Sequence, residues 1–345
     1  MTVSQPPRHV PESGQPTLRD VARQAQVSPM TVSRALREDG GVSAATRERV
    51  LAAVASLGYR RNEAARNLRL GRSGGMIGLV VTNLANPFYS QLAIGVESAV
   101  AERGIRVMVG NSGEDPERER QLVNDFASRR LDGVVVVPCS HDHTHLESSQ
   151  LSGMPVVLAA SPPVQINADS VLLDDFGGTL EATRHLIAAG HQRIAFLGLP
   201  ASTWTGSERF RGYCAALEEA GIAVDPRYTS RRQRDVAAAE QATLDLLDLD
   251  EPPTAVFAAN NRNTIGAYRA IRARHSDVRL AGFDDFELAD LVVPAVTVVR
   301  HDSYRMGARA AELAFERLDS PELPARRILV PTELVVRGSG EVPPP

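Results

Sequence analysis

The 345-residue sequence has no lysine; all 38 of its cationic side chains are arginines. A guanidinium makes paired, coplanar bonds that an ammonium cannot, but an absence spread over the whole chain reads as genome composition. Cysteine is scarce. Cys139 and Cys214 stand alone, too few for a disulfide framework, and read as two buried thiols in a reducing cytoplasm. No apolar run approaches the roughly 20 residues that span a bilayer. The polar, proline-rich start MTVSQPPRHVPESGQP lacks the apolar core of a secretion signal and reads as a disordered tail over 1–16. Catalytic signatures are missing too: no phosphate-binding loop with its lysine, no H-E-x-x-H, no G-x-S-x-G and no dinucleotide fingerprint. The expectation is a protein that is not an enzyme, is not membrane-bound and carries no cofactor.

What is present is an ordinary globular composition, 43% hydrophobic and 23% charged, with a net charge of −4. The charge is unevenly placed. Residues 1–72 hold twelve arginines against six acids, a net of +6, whereas residues 73–345 carry −10. A basic block on an acidic body suggests one part that meets a polyanion and one that does not.

Three short helices are legible in the basic block. Thr17 caps the first, with Asp20 at its third position, and Leu18, Val21, Ala22 and Ala25 recur at helical spacing. After Gln26-Val27-Ser28, Pro29 suits the first position of a second helix, whose Val32, Ala35 and Leu36 form one stripe. Met30, Arg34 and Arg37 fall on its opposite face. The third begins at Ser43, is expected to turn Val50, Leu51, Val54 and Leu57 inward, and ends at Gly58. Helix, short turn, helix, with arginine facing solvent, is a helix-turn-helix pattern; a small bundle whose second helix merely faces water has the same pattern.

The run V-S-P-M-T-V-S-R-A-L from Val27 to Leu36, and the sequence continuing through GYRRNEAARNLRLGRSG, resemble the headpiece and hinge of the LacI/GalR family of bacterial transcription repressors. The similarity extends to Arg337. It implies that Arg34 reads a guanine edge in the major groove, and that Pro29 and Met30 set operator preference. Thr31, Ser33, Ser43, Thr46 and Tyr59 would bind phosphate, with Arg19 also in the DNA-facing set. Arg37 stands where the family usually has asparagine, trading a neutral contact for a charged one. Asn62, Ala65 and Leu68 belong to a segment resembling the hinge helix, with Leu68 matching the leucine wedged into the minor groove.

From Met76 onward short apolar strands alternate with amphipathic helices. The strands are expected at Ile77–Val81, Arg106–Val109, Gly133–Val137, Val156–Ala159, Arg193–Leu197, Ala255–Ala258 and Leu280–Phe283. Helices are expected, for instance, at Phe88–Arg103 and Gly177–Ala189. This argues for doubly wound parallel sheets, with ligands beyond the carboxyl ends of the strands. The body resembles periplasmic sugar-binding proteins: two lobes joined by three crossovers that close on a small molecule.

The resulting expectation is an α/β chain with a disordered tail at 1–16 and a helix-turn-helix headpiece at 17–61. A hinge helix and linker at 62–75 precede a two-lobed, doubly wound, periplasmic-binding-protein-like domain at 76–338, with a second tail at 339–345. The resemblance implies that Phe88 or Tyr89 stacks on the effector while Arg209, Asn261 and Asp284 bond its polar edge. Ser140, in the loop after Val137, and the lone Trp204 are further candidates. Asn261 replaces the family's usual aspartate, so a free sugar, an acidic or modified sugar, or another metabolite remain open as effector. His141, His143 and His145 invite a metal reading, but without a second ligand cluster a polar exposed loop is expected. The partners are double-stranded operator DNA, a small-molecule effector and a second copy of the chain; an ending in EVPPP favours a dimer. A sugar-binding module whose DNA binding is lost or secondary is the alternative.

Overall fold

The structure, a computed structural model, describes residues 16–37, 41–60 and 75–341. The chain divides into two compact units between residues 72 and 73.

The first unit has three helices among its described residues: α1 (Leu18–Ala25), α2 (Pro29–Ala35) and α3 (Ala44–Leu57). Their ends follow from the local sequence. Thr17 and Asp20 form a reciprocal capping box on α1. Ser28 accepts from Thr31 N at 3.1 Å, with Pro29 in the first turn of α2. Ser43 caps α3, and Gly58 ends it at φ 64°, a conformation glycine adopts without a Cβ penalty. Val21, Ala22, Ala25, Val32, Ala35, Val50 and Ala53 make the core. Leu51, expected inward, is 49% exposed. It sits about 100° round the helix from Val50, and Ala53 fills the inward position instead. Arg47 Nε donates to Ala35 O at 3.1 Å, closing the carboxyl end of α2. The hinge residues Asn62, Ala65 and Leu68 lie outside the described residues.

The second unit holds two six-stranded sheets. The first lobe has strand order β11-β5-β4-β3-β1-β2, all parallel. Its strands are β1 (Met76–Val81), β2 (Arg106–Asn111), β3 (Gly133–Val136), β4 (Val156–Ala159), β5 (Asp169–Leu173) and β11 (Arg327–Val330). The second lobe has order β12-β10-β9-β8-β6-β7, parallel but for β12. It comprises β6 (Ile194–Leu197), β7 (Thr229–Ser230), β8 (Ala255–Ala258), β9 (Arg279–Phe283), β10 (Thr297–His301) and β12 (Thr332–Val335). The seven expected strands are present to within two residues at either end.

Helices cover both faces of each sheet, and their apolar sides fill two cores per lobe. They are α4 (Pro87–Ala101), α5 (Pro116–Ser128), α6 (Asp175–Ala188), α7 (Trp204–Glu219), α8 (Val236–Leu247), α9 (Asn261–Ala273) and α10 (Ser303–Asp319). Helices α4 and α10 meet at backbone distance. A Cβ on Gly95 would lie 2.0 Å from Tyr304 O, and one on Gly307 2.0 Å from Leu92 O. The chain passes between lobes three times: from β5 into α6, from β10 into α10, and across Pro331 between β11 and β12.

Three local expectations need correction. His143 and His145 are buried rather than in an exposed loop, although His141 and Asp142 face solvent. His145 Nε2 lies 3.0 Å from Glu119 Oε1, and Glu119 Oε2 accepts from Cys139 N at 2.8 Å. His143 Nδ1 accepts from Val164 N, so its Nε2 donates to Ser140 O at 2.9 Å; burial also holds its pKa down. The histidines are internal struts of this loop, saved from the cost of burial by these bonds. The carboxyl tail is fastened beyond residue 338: Ser339 is buried and bonds to Leu280 and Thr297, and Glu341 meets His185 at 3.1 Å. Cys139 and Cys214 are half-buried, not buried.

Candidate effector cleft and DNA-reading face

A cavity of about 140 Å³ opens where the strands of both lobes end. Loops at those ends bring in residues far apart in sequence: Thr82, Asn83 and Asn86 after β1, Glu114 after β2, Cys139 and Ser140 after β3, and Ala160 after β4. The second lobe supplies Trp204 and Arg209 from α7, Arg234 ahead of α8, Asn260 and Arg262 at the start of α9, and Asp284 after β9. Three lining residues hold left-handed backbone without being glycine: Glu114 (φ 65°), Ala160 (φ 59°) and Asp284 (φ 66°). Strain of this kind is kept where the fold needs a side chain aimed in one direction.

The inner end is a buried charge cluster. Arg209 Nε donates to Asp175 Oδ1 at 2.7 Å, Nη1 to Ala259 O at 2.5 Å and Nη2 to Asp284 Oδ1 at 3.2 Å. Its guanidinium lies over the Phe283 ring, 3.5 Å from the centroid. His301 Nε2 reaches the same Asp284 oxygen at 2.9 Å. Burial opposes the charge on Asp284, but Arg209 and His301 outweigh it and bring its pKa down to about 2. On Asp175 burial wins and the pKa is raised, with Oδ2 left unbonded. Asp175 and His301 both stand at crossovers between the lobes, so the cluster ties the cleft to its hinge.

The candidates sort clearly. Phe88, Tyr89, Ser140, Trp204, Arg209 and Asp284 all line the one cavity. Phe88 meets Tyr89 edge-on at 4.9 Å, and Tyr89 OH accepts from Thr82 Oγ1 at 2.6 Å. Burial pushes the Tyr89 phenol up to about 12, so it stays neutral. Asn261, expected on the effector's polar edge, does not line this cavity. It borders an open groove of about 490 Å³ that shares Phe88 and Asp284 with the cavity, and Nδ2 donates across the lobes to Asn86 Oδ1 at 3.0 Å. Its neighbours Asn260 and Arg262 face the cavity instead, because a helix begins there and turns successive side chains by about 100°. Glu114, Arg234 and Arg262 were not expected in the site; the Glu114–Arg234 pair spans two loops and Arg262 is placed by the start of α9, so neither leaves a local sequence signal.

On the headpiece, Arg19, Pro29, Met30, Arg34, Arg37 and Ser43 are exposed, while Thr31, Ser33, Thr46 and Tyr59 are half-buried. Met30 is 73% exposed and lies one turn from Arg34 on α2. A large apolar side chain at that exposure, beside arginine, is a feature of interaction faces. Arg34 Nη2 rests 3.4 Å from Gly41 O. The Thr31 and Thr46 hydroxyls each sit 2.9 Å from the hydroxyl that caps their own helix.

The model of the lacI family of bacterial regulatory proteins matches residues 17–62, and that of a periplasmic-binding-protein-like domain matches residues 183–340. The ribose operon repressor of Escherichia coli (strain K12) is 32% identical over 334 residues, covering 94% of this chain and 99% of that protein. The chain belongs to the LacI family. Its architecture agrees. A crystal structure of the lac repressor dimer bound to operator and the anti-inducer ONPF aligns with a TM-score of 0.81 at 27% identity, covering 95% of this chain and all of the other. A transcriptional regulator CelR–cellobiose complex aligns at 0.71 with 32% identity, covering 94% and 100%. This LacI-family chain is a DNA-binding transcriptional regulator, not an enzyme. No described helix is long and apolar enough to cross a membrane.

Proposed function

We propose that the protein represses transcription as a homodimer on a pseudo-palindromic operator and that a small polar metabolite in the interlobe cleft controls it. The observation that carries this reading is the hinge cluster. Asp175 and His301 of two crossovers converge on Arg209 and Asp284, which also line the cavity. A ligand that bonds Asp284 therefore acts on the groups that set the angle between lobes. Further ties cross the cleft: Asn86 to Asn261, Thr205 Oγ1 to Ala160 O at 3.4 Å, Glu114 to Arg234, and Arg327 5.5 Å from the Trp204 ring centroid.

A ligand that favours one lobe angle shifts the population of the whole body. Transmitted through residues 62–72 to the paired headpieces, that shift changes operator affinity, and DNA changes ligand affinity by the same factor. On the headpiece, Arg34 and Met30 read base edges, and Arg19, Thr31, Ser33, Arg37, Ser43, Thr46 and Tyr59 hold the backbone. Asn62, Ala65 and Leu68 act at the operator centre. The related CelR structure holds cellobiose and the related ribose operon repressor is named for ribose, which supports a carbohydrate or carbohydrate derivative here.

Selection of bound DNA from a random pool tests the reading. A two-fold symmetric site, bound by a dimer and released or tightened by a metabolite fraction, is expected. Enrichment of no sequence overturns it.

A further inference from the structure

Resting on the assignment of the cleft as the effector site, we propose that the effector is a hydroxylated anion, a sugar phosphate or sugar acid, whose charged end is held by Arg262. The cavity is chemically two-ended. At the buried end one guanidinium faces two carboxylates: the side chains of Arg209, Asp175 and Asp284 are 4%, 2% and 9% exposed. Asp284 spends one oxygen on Arg209 and His301, and its Oδ2 has no hydrogen-bond partner among the described residues. Asp284 lines the cavity, and its free oxygen is an acceptor suited to a ligand hydroxyl.

The outer end has the opposite balance. Arg234 is matched by Glu114. Arg262, half-buried on the cavity wall, has neither a carboxylate nor any hydrogen-bond partner among the described residues. Among the described residues it is the one cation of the lining without a counter-charge. It projects from the first turn of the 13-residue helix α9, where free backbone N–H groups add partial positive charge. The first turns of α4 and α7 also contribute lining residues. A neutral ligand closing the cleft would further desolvate Arg262 without giving it a partner; a phosphate or carboxylate would pair with it in a charge-assisted, bidentate contact. Polyol at the inner end and anion at the outer end satisfy both.

The full-length protein is titrated with matched sets: ribose, ribose 5-phosphate and ribonate; glucose, glucose 6-phosphate and gluconate; galactose, galactose 6-phosphate and galactonate. Fluorescence of Trp204, the lone tryptophan and a wall of the cavity, reports binding. At least one anion should bind saturably and about tenfold or more tighter than its neutral parent. R262Q should erase that preference and R262K should keep most of it. Response to the phosphates alone or to the acids alone identifies which anion is read. The proposal is overturned by a neutral parent that binds as tightly as its anions, by a preference that survives R262Q, or by no saturable anion binding up to about 10 mM. Operator affinity measured alongside separates the two readings. A neutral sugar that binds as tightly as its anions and alters operator affinity removes the anion and keeps the regulator. An operator affinity indifferent to every ligand that binds removes the reading of the cleft as an effector site.

Discussion

Replacing Arg209 with methionine should convert a salt-bridged cluster into two buried carboxylates without a cation. Methionine supplies an apolar, flexible side chain while removing the guanidinium that lies over Phe283 and its bonds to Asp175, Asp284 and Ala259 O. His301 remains as donor to Asp284, so the proton needed to relieve the repulsion falls on Asp175, whose pKa burial already raises. Protonating a carboxylate of unfolded pKa near 3.9 at pH 7 costs about 1.36 kcal/mol for each of roughly three units, or about 4 kcal/mol. This agrees with the ~3–5 kcal/mol lost when one partner of a buried ion pair is removed. At pH 5 the same protonation costs only about 1.5 kcal/mol. The sign is therefore specific: the gap between parent and variant should narrow as pH falls. In the parent, Asp284 has its pKa lowered to about 2, so its own contribution is lost only below about pH 4. Guanidinium unfolding of the body at pH 7 and pH 5 measures both gaps. A loss under about 1 kcal/mol at pH 7, or a gap that does not narrow, refutes the cluster as described.

Arg34→Ala should cost about 1–3 kcal/mol at one operator base pair and relax preference there; an unchanged pattern in a binding-site selection would remove Arg34 from base reading. Gly307→Ala should push α10 off Leu92 O and destabilise the first lobe by about 1–3 kcal/mol, read as a lower Tm, and an unchanged Tm would contradict the backbone contact. Asp284→Asn should weaken the effector response about tenfold or more, since the open acceptor becomes an amide, as measured by the ligand concentration that half-alters operator binding. Leu68→Ala should reduce operator bending while sparing effector binding; equal bending by gel mobility would exclude the wedge.

Much of the fold was legible because its signals are local. Thr17 with Asp20, Ser28 with Pro29, and Ser43 announce their helices through side chains that satisfy free N–H groups within one turn. Central strands such as β4 and β8 are buried along their whole length, so they stand out as short apolar runs. Strands β11 and β12 do not. They are half-exposed edge strands separated only by Pro331, and each joins a different sheet. Leu51 was misplaced by helical phase within α3, whereas the exposed reading of His143 and His145 failed because a side chain's neighbours come from other elements. For His145 that neighbour is Glu119, 26 residues away.

By itself the sequence determined that this chain has a basic helical reader of DNA and an acidic two-lobed body, and its lack of lysine makes every cationic contact an arginine contact. Periodicity, caps and charge segregation act over a few residues, so one dimension holds them. The tertiary structure decided which arginines meet which acids: Arg209 with Asp175 and Asp284, Arg234 with Glu114, and Arg262 with none among the described residues. Those pairings depend on where loops from two sheets converge, a long-range property set by the packing of both lobes.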